Sequence, residues 1–177
     1  MRQRVTIAIA LANEPRLLLA DEPTTALDVT IQDQILKLLQ RLQDEREMAV
    51  VLVTHDLAVV RGWADDVAVM YAGQVVETGP AAAVFDSPKM RYTEALLDST
   101  PRLDENVDEL ATIEGQPPSL IEPPTGCRFA ARCSYAQDRC RAEAPPLVAT
   151  DDPAHRFACW FPVGHPDAVM RETEVSL

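Results

Sequence analysis

Apolar residues along the first half of the chain recur with two different periods. Val5, Ala8, Ile9 and Ala12 return at helical spacing, which predicts a helix from Met1 to about Asn13, stopped before Pro15. The continuous run Arg16–Ala20 predicts a strand. Helical spacing returns with Ile31, Ile35, Leu38, Leu39 and Leu42, so a helix with one apolar face is expected from an Asp28 N-cap to about Arg46. Ala49–Thr54 is apolar at nearly every position, as in a parallel strand covered on both faces. A short helix is then expected over Asp56–Gly62, followed by strand Val67–Tyr71. A turn at Ala72-Gly73 and a returning strand Gln74–Glu77 complete a hairpin. Pro80–Phe85 and Tyr92–Asp98 read as two further short helices.

Beyond Gly79 the chain changes in kind. Only Pro15 and Pro23 of the 14 prolines precede it. Residues 100–126 are acidic and contain Pro117-Pro118 and Pro123-Pro124, the composition of an extended wrap or linker. The expected division is a core over residues 1–79, a helical and proline-rich linker over 80–126, and a cysteine-rich extension over 127–177.

At 177 residues the sequence holds one domain with an appendage, and 47% apolar content is ordinary for a globular protein. A net charge of −12 argues against a nucleic-acid partner, because phosphate binding needs clustered Lys and Arg. No apolar run approaches the roughly 20 residues of a membrane helix. Met1-Arg2-Gln3-Arg4 before an apolar stretch imitates a signal peptide, but Asn13-Glu14-Pro15 makes a poor cleavage site.

The first strand run ends in adjacent carboxylates, Asp21-Glu22, and the second ends in His55-Asp56. Ligands of open α/β sheets bind at the carboxyl ends of strands, so two such tips suggest one shared site. There Asp21 can hold a hydrated Mg²⁺ on nucleotide phosphates, and Glu22 can polarise a water for attack on the terminal phosphate. His55 can donate from a neutral imidazole to a phosphate oxygen while its other nitrogen is fixed by a neighbour. An isolated Asp-Glu pair equally describes a helix cap or a salt-bridged acid, and an isolated His a satisfied strand-end side chain.

Asp21-Glu22-Pro23-Thr24-Thr25-Ala26-Leu27-Asp28 followed by Thr54-His55-Asp56 resembles the second half of an ATP-binding subunit of the ABC transporters. The proline-rich tail with four cysteines narrows the resemblance to the oligopeptide/dipeptide importers, and Met1-Arg2-Gln3-Arg4-Val5 is similar to the segment closing that family's signature motif. The resemblance implies an α/β fold, namely part of a phosphate-loop NTPase parallel sheet with helices, followed by the cysteine extension. It implies ATP and Mg²⁺ as cofactors, Asp21 as the Mg²⁺-associated acid, Glu22 as catalytic base and His55 as the histidine sensing the γ-phosphate. Ala26-Leu27-Asp28 would be the loop at the interface of two ATP-binding subunits, with Asp28 in nucleotide binding. Implied partners are a second ATP-binding subunit, two membrane permeases and an extracytoplasmic substrate-binding protein. The implied location is peripheral, on the cytoplasmic face of a bacterial membrane. Relatives in this group carry dipeptides, longer peptides, nickel or glutathione.

No Gly-x-x-x-x-Gly-Lys-Ser/Thr occurs in the 177 residues, and neither lysine, Lys37 or Lys89, sits in a glycine-rich turn. The chain thus reads as the later half of an importer ATPase, expected to be inactive by itself. The alternative expectation is a non-catalytic remnant whose metal-bearing tail binds partner subunits.

All four cysteines, Cys127, Cys133, Cys140 and Cys159, lie in the tail, separated by five, six and eighteen residues. Four thiolates satisfy either an iron–sulfur or a zinc site. Zinc modules usually show tight pairs, and this chain has none. The bland reading is reduced cysteines packed in a small core, or disulfides. Arg128, Arg132, Arg139 and Arg141 interleave with the cysteines and could offset the charge of either metal site. His155 and His165 are spare ligands, and Trp63 and Trp160 are expected in cores. The importer resemblance implies a [4Fe-4S] cluster.

Overall fold

The computed structural model describes residues 2–25, 27–100 and 112–170. The chain is α/β and forms two compact units, Met1–Asp56 and Leu57–Leu177.

In the first unit, helix α1 (Arg2–Ala10) precedes strand β1 (Leu17–Asp21), helix α2 (Val29–Arg46) and strand β2 (Ala49–Val53). β1 and β2 pair in parallel, from Leu17 opposite Ala49 to Asp21 opposite Val53. Asp28 caps α2 as the sequence predicts, its carboxylate accepting the Ile31 amide at 3.0 Å. The helix closes at Glu47 in the left-handed conformation. Ile35 and Leu39 are fully buried, and Leu18 and Ala20 of β1 and Met48 before β2 are buried with them. The other face of the strand pair is open: Leu17, Leu19, Val51 and Val53 are all about half exposed or more. The apolar stripe expected on α1 is not a buried face. Val5 and Ile9 are exposed, and it is Leu11 that turns inward. Gln3 donating to Pro23 O and Arg4 donating to Gln34 fix the roll of the helix in that sense.

The second unit begins with α3 (Leu57–Trp63) and the antiparallel hairpin β3 (Asp66–Tyr71) and β4 (Gln74–Pro80). Its two-residue turn has Ala72 at φ 47° and Gly73 at φ 79°, the double positive φ that matches strand twist in a tight hairpin. Helices α4 (Ala81–Asp86) and α5 (Arg91–Asp98) follow, then after an irregular stretch α6 (Asp138–Ala142), β5 (Val148–Ala149) and β6 (Arg156–Phe157). Residues 112–126 contain no helix or strand. The rest of the predicted linker, 101–111, lies outside the described residues, as do 171–177. The sheet order β3-β4-β6-β5 makes the tail's two-residue strands continue the hairpin. Val69, Tyr71, Val76, Val84, Met90 and Phe129 form the core, where the rings of Tyr71, Tyr92 and Phe129 meet at 4.5–5.3 Å.

A buried polar knot lies beside this core. Glu77 on β4 has no solvent exposure and His155 only 4%. The Glu77 carboxyl group accepts the amides of Lys89 at 2.7 Å and Met90 at 3.0 Å, and lies 2.7 Å from His155 Nε2. Gly79 permits this approach, because a Cβ there would stand 3.0 Å from the His155 Cα. Among the described residues no helix is long and apolar enough to cross a membrane.

Replacing Glu77 with Ala strands two amides and an imidazole inside the protein. It should destabilise the second unit by about 3–5 kcal/mol, the scale on which broken buried pairs act. Urea unfolding followed by Trp fluorescence measures this, and a loss below about 1 kcal/mol, the size of one ordinary hydrogen bond, would contradict the assignment.

Candidate functional site

Glu22 stands one residue beyond β1, where its amide donates to Val53 O at 2.8 Å and so extends the strand pairing. Its φ of 43° lies in the left-handed region, a conformation that costs a non-glycine residue on the order of 1–3 kcal/mol and clusters at functional positions. The chain turns at once, with the Thr25 amide donating to Glu22 O at 3.2 Å. The turn returns the Thr25 hydroxyl to Glu22 Oε2 at 2.8 Å. The other oxygen, Oε1, lies 3.1 Å from Nδ1 of His55, carried just past the end of β2. The strand ladder thus brings together two residues 33 positions apart. Hydrogen bonds from Thr25 and then from His55 hold the Glu22 carboxyl below its usual pKa, outweighing the slight opposing effect of burial.

Asp21 is the last residue of β1, opposite Val53, with its side chain exposed. Asp28 is engaged as the cap of α2, and Ala26 lies outside the described residues. Asp56 accepts from Gln32 Nε2 at 2.9 Å, which ties α2 to the end of the His55 segment.

In the second unit, Cys127, Cys133, Cys140 and Cys159 all line one small, almost wholly apolar cavity, with Met90, Phe129, Tyr135 and Phe161 among its walls. All four are free thiols. Amides point at three of the sulfurs: those of Phe129 and Ala130 at Cys127, that of Tyr135 at Cys133, and those of Phe161 and Arg91 at Cys159. Cys127 and Cys140 are bound through their backbones, the Cys127 amide donating to Cys140 O at 2.7 Å. Gly126 allows that approach, since a Cβ there would lie 2.5 Å from the same oxygen. Burial pushes the thiols of Cys133 and Cys159 up to about 11, and that of Cys127 upward as well. Among the described residues no group of three or more His, Cys, Asp or Glu could hold a metal ion. Neither metal reading of the four cysteines, iron–sulfur or zinc, therefore finds support in this arrangement, in which the four line one cavity.

The interleaved arginines do not serve the cysteines as expected. Arg128 donates to Ala72 O, and Arg132 to the carbonyls of Ile113 and Glu114. Arg139 stacks on Trp160, its guanidinium 3.5 Å from the ring centre, and Arg141 pairs with Asp138. Nor do the spare histidines line the cavity: His155 bonds Glu77, and His165 accepts the Asp167 amide. The cation that does line it is Arg91, 36 residues before the first cysteine and unmarked by any spacing in the sequence.

Known proteins similar to this chain share one family description. Residues 76–140 match the family described as the oligopeptide/dipeptide transporter C-terminal region. The dipeptide transport ATP-binding protein DppD of Escherichia coli K12 is 52% identical over 163 residues, covering 92% of this chain and 50% of DppD. A peptide import ATP-binding protein of Brucella abortus is 53% identical over 155 residues, 88% of this chain and 47% of that protein. The oligopeptide transport ATP-binding protein OppD of Haemophilus influenzae is 48% identical over 161 residues, 91% of this chain and 49% of OppD. The chain thus spans about half the length of the curated relatives it matches. A solved dimeric ATP-binding cassette in a post-hydrolysis state with ADP and Pi overlaps 45% of this chain and 34% of its own at a TM-score of 0.42, with 41% identity.

Two outcomes follow. Because the folded pKa of Glu22 is lowered, its contribution to stability is complete above the ordinary 4.5 and is lost as pH falls through the folded value. Thr25→Val should move that loss to higher pH, seen as a rise of the Glu22 carboxyl ¹³C titration midpoint toward 4.5; an unmoved midpoint would show that Thr25 does not hold the carboxylate. The thiols run the other way. Their raised pKa stabilises the metal-free fold below the ordinary 9.0, and that stability is lost as pH rises through about 11. At mildly alkaline pH, iodoacetamide should accordingly modify Cys133 and Cys159 far more slowly in the folded, metal-free chain than in urea, and equal rates would contradict their burial.

Proposed function

We propose that this chain, which belongs to the C-terminal part of the ATP-binding subunit family of ABC peptide importers, carries the hydrolytic residues of an ATP site that powers peptide uptake. The observation behind the proposal is the Glu22 turn: a carboxylate in a left-handed backbone conformation at a strand tip, with one oxygen on Thr25 and the other beside His55.

In this reading β1 and β2 are two strands of a phosphate-loop NTPase sheet. Glu22, ionised at neutral pH as any carboxylate of ordinary or lowered pKa is, accepts a proton from the water that attacks the terminal phosphate. With Nδ1–H given to the Glu22 carboxylate, His55 can donate from Nε2 to a γ-phosphate oxygen only as the doubly protonated imidazolium. Asp21, exposed at the same strand end, would hold Mg²⁺, whose charge offsets that of the phosphates. Asp28 fixes the start of α2 and with it the loop proposed to face nucleotide on a second ATP-binding subunit. Two permease subunits and an extracytoplasmic binding protein complete the proposed importer, which places this chain peripherally on the cytoplasmic face of the membrane. Dipeptides or oligopeptides are the proposed cargo, after the relatives' names.

The tail would hold a [4Fe-4S] cluster through Cys127, Cys133, Cys140 and Cys159. This reading rests on the donor set: four free thiols around one cavity, with amides directed at three of the sulfurs, a pattern suited to thiolates around a group larger than one ion. Bound there, the group would supply a rigid covalent centre to a segment whose own core is small.

The test replaces the matching half of Escherichia coli DppD with this chain and measures ATP turnover and dipeptide uptake. The chimera should work, and Glu22→Gln within it should retain ATP binding while turnover falls by roughly two orders of magnitude or more, the scale of general-base loss. The 177-residue chain alone, with no glycine-rich lysine loop, should show no Glu22-dependent hydrolysis. Undiminished turnover by the Glu22→Gln chimera would overturn the assignment.

A further inference from the structure

Arg91 is among the most deeply placed charged residues described, with only 7% of its surface exposed. It begins α5, and its amide is one of the donors directed at the Cys159 sulfur. Its guanidinium does three further things. Nε donates to Phe161 O at 3.1 Å and Nη2 to Pro162 O at 3.1 Å, which grips the chain just after Cys159. The plane stacks on Tyr135, 3.7 Å from the ring centre, which grips the chain just after Cys133. Nη1 pairs with Glu94 at 2.9 Å, a carboxylate partly open to solvent. Phe161 and Tyr135 are the residues whose own amides face Cys159 and Cys133. One side chain therefore braces two of the cysteine loops, and it also lines the cavity that all four cysteines share.

A buried guanidinium is costly unless its charge is used. Glu94, two carbonyls and the Tyr135 ring compensate it on one side, while the same side chain also lines the cysteine cavity. The neighbouring cavity, if occupied by four thiolates around a metal–sulfur core, is anionic. We propose that Arg91 is the positioning residue and fixed counter-charge of this cysteine site, holding the Cys133 and Cys159 loops in place and raising the reduction potential of an iron–sulfur cluster bound there. The inference rests on the cluster reading of the four cysteines. It also accounts for the engagement of the four tail arginines elsewhere: the needed cation comes from α5 instead.

The test uses the whole 177-residue chain, loaded anaerobically with ferrous iron and sulfide. Readouts are iron and sulfide content, visible absorbance and midpoint potential, with protease resistance of residues 112–170 as a separate measure of folding. The wild type should take up ~4 irons and ~4 sulfides per chain, as a Cys₄-held [4Fe-4S] cluster requires. Arg91→Met should lower the midpoint potential or lose the cluster, because a cation that favours the more negative reduced state is gone. Arg91→Lys keeps the charge but not the planar fork; it should hold the cluster near the wild-type potential while the tail becomes more protease-sensitive. Failure of the wild type to bind iron and sulfide would overturn the cluster reading itself. A loaded wild type with Arg91→Met at the same potential would overturn only the role of Arg91. So would a shift or loss in Arg91→Lys equal to that in Arg91→Met, since charge would then not be what matters.

Discussion

The second unit depends on where one carboxyl group has its hydrogen bonds. Glu77 is wholly removed from water, so every acceptor position left unfilled would cost free energy. Lys89, Met90 and His155 fill them from two distant segments. Through the Lys89 and Met90 amides the knot sets the start of α5, and therefore the position of Arg91. Through His155 it draws the tail against β4, where β6 then pairs. The cysteine cavity lies between these two consequences, with Met90 and Arg91 on one wall and the Cys159 segment on another.

The two candidate sites are built on opposite principles. Around Glu22 the groups are exposed and the backbone is strained, as expected of a turn that must present a carboxylate to a ligand. Around the cysteines the groups are buried or half-buried, with only Cys140 of the four wholly in the buried class. Exposed Leu17, Leu19, Val51 and Val53 border the first site on one sheet face, so that site stands beside an uncovered apolar surface, whereas the cysteine site is enclosed by its own tail.

Much of the first 98 residues was legible in sequence because its signals are local. The Asp28 cap, the Ile35 and Leu39 stripe, the two parallel strands and the Ala72-Gly73 turn each follow from a few neighbouring residues. Pairing of Glu22 with His55 was legible only as two strand tips of like chemistry; the part played by Thr25 was not, although it lies in the same motif. The tail was opaque for a physical reason. Strands of two residues have no period, and the contacts that place them, such as Glu77 with His155 at a separation of 78, leave no local trace. Arg91 was missed likewise, since an arginine opening a helix ordinarily reads as solvated surface. The α1 stripe misled because helical spacing identifies an apolar face without saying that the face is covered.

The central claim is that the cysteine tail and the hairpin are one folding unit fastened at Glu77. Native-state hydrogen exchange on the unlabelled wild-type chain tests it most directly. The account predicts that the amides of Lys89, Met90 and Ala158 exchange with the same opening free energy as the β3–β4 ladder, because all are released together. Exchange of Ala158 and its neighbours at loop rates, while the hairpin stayed protected, would contradict it.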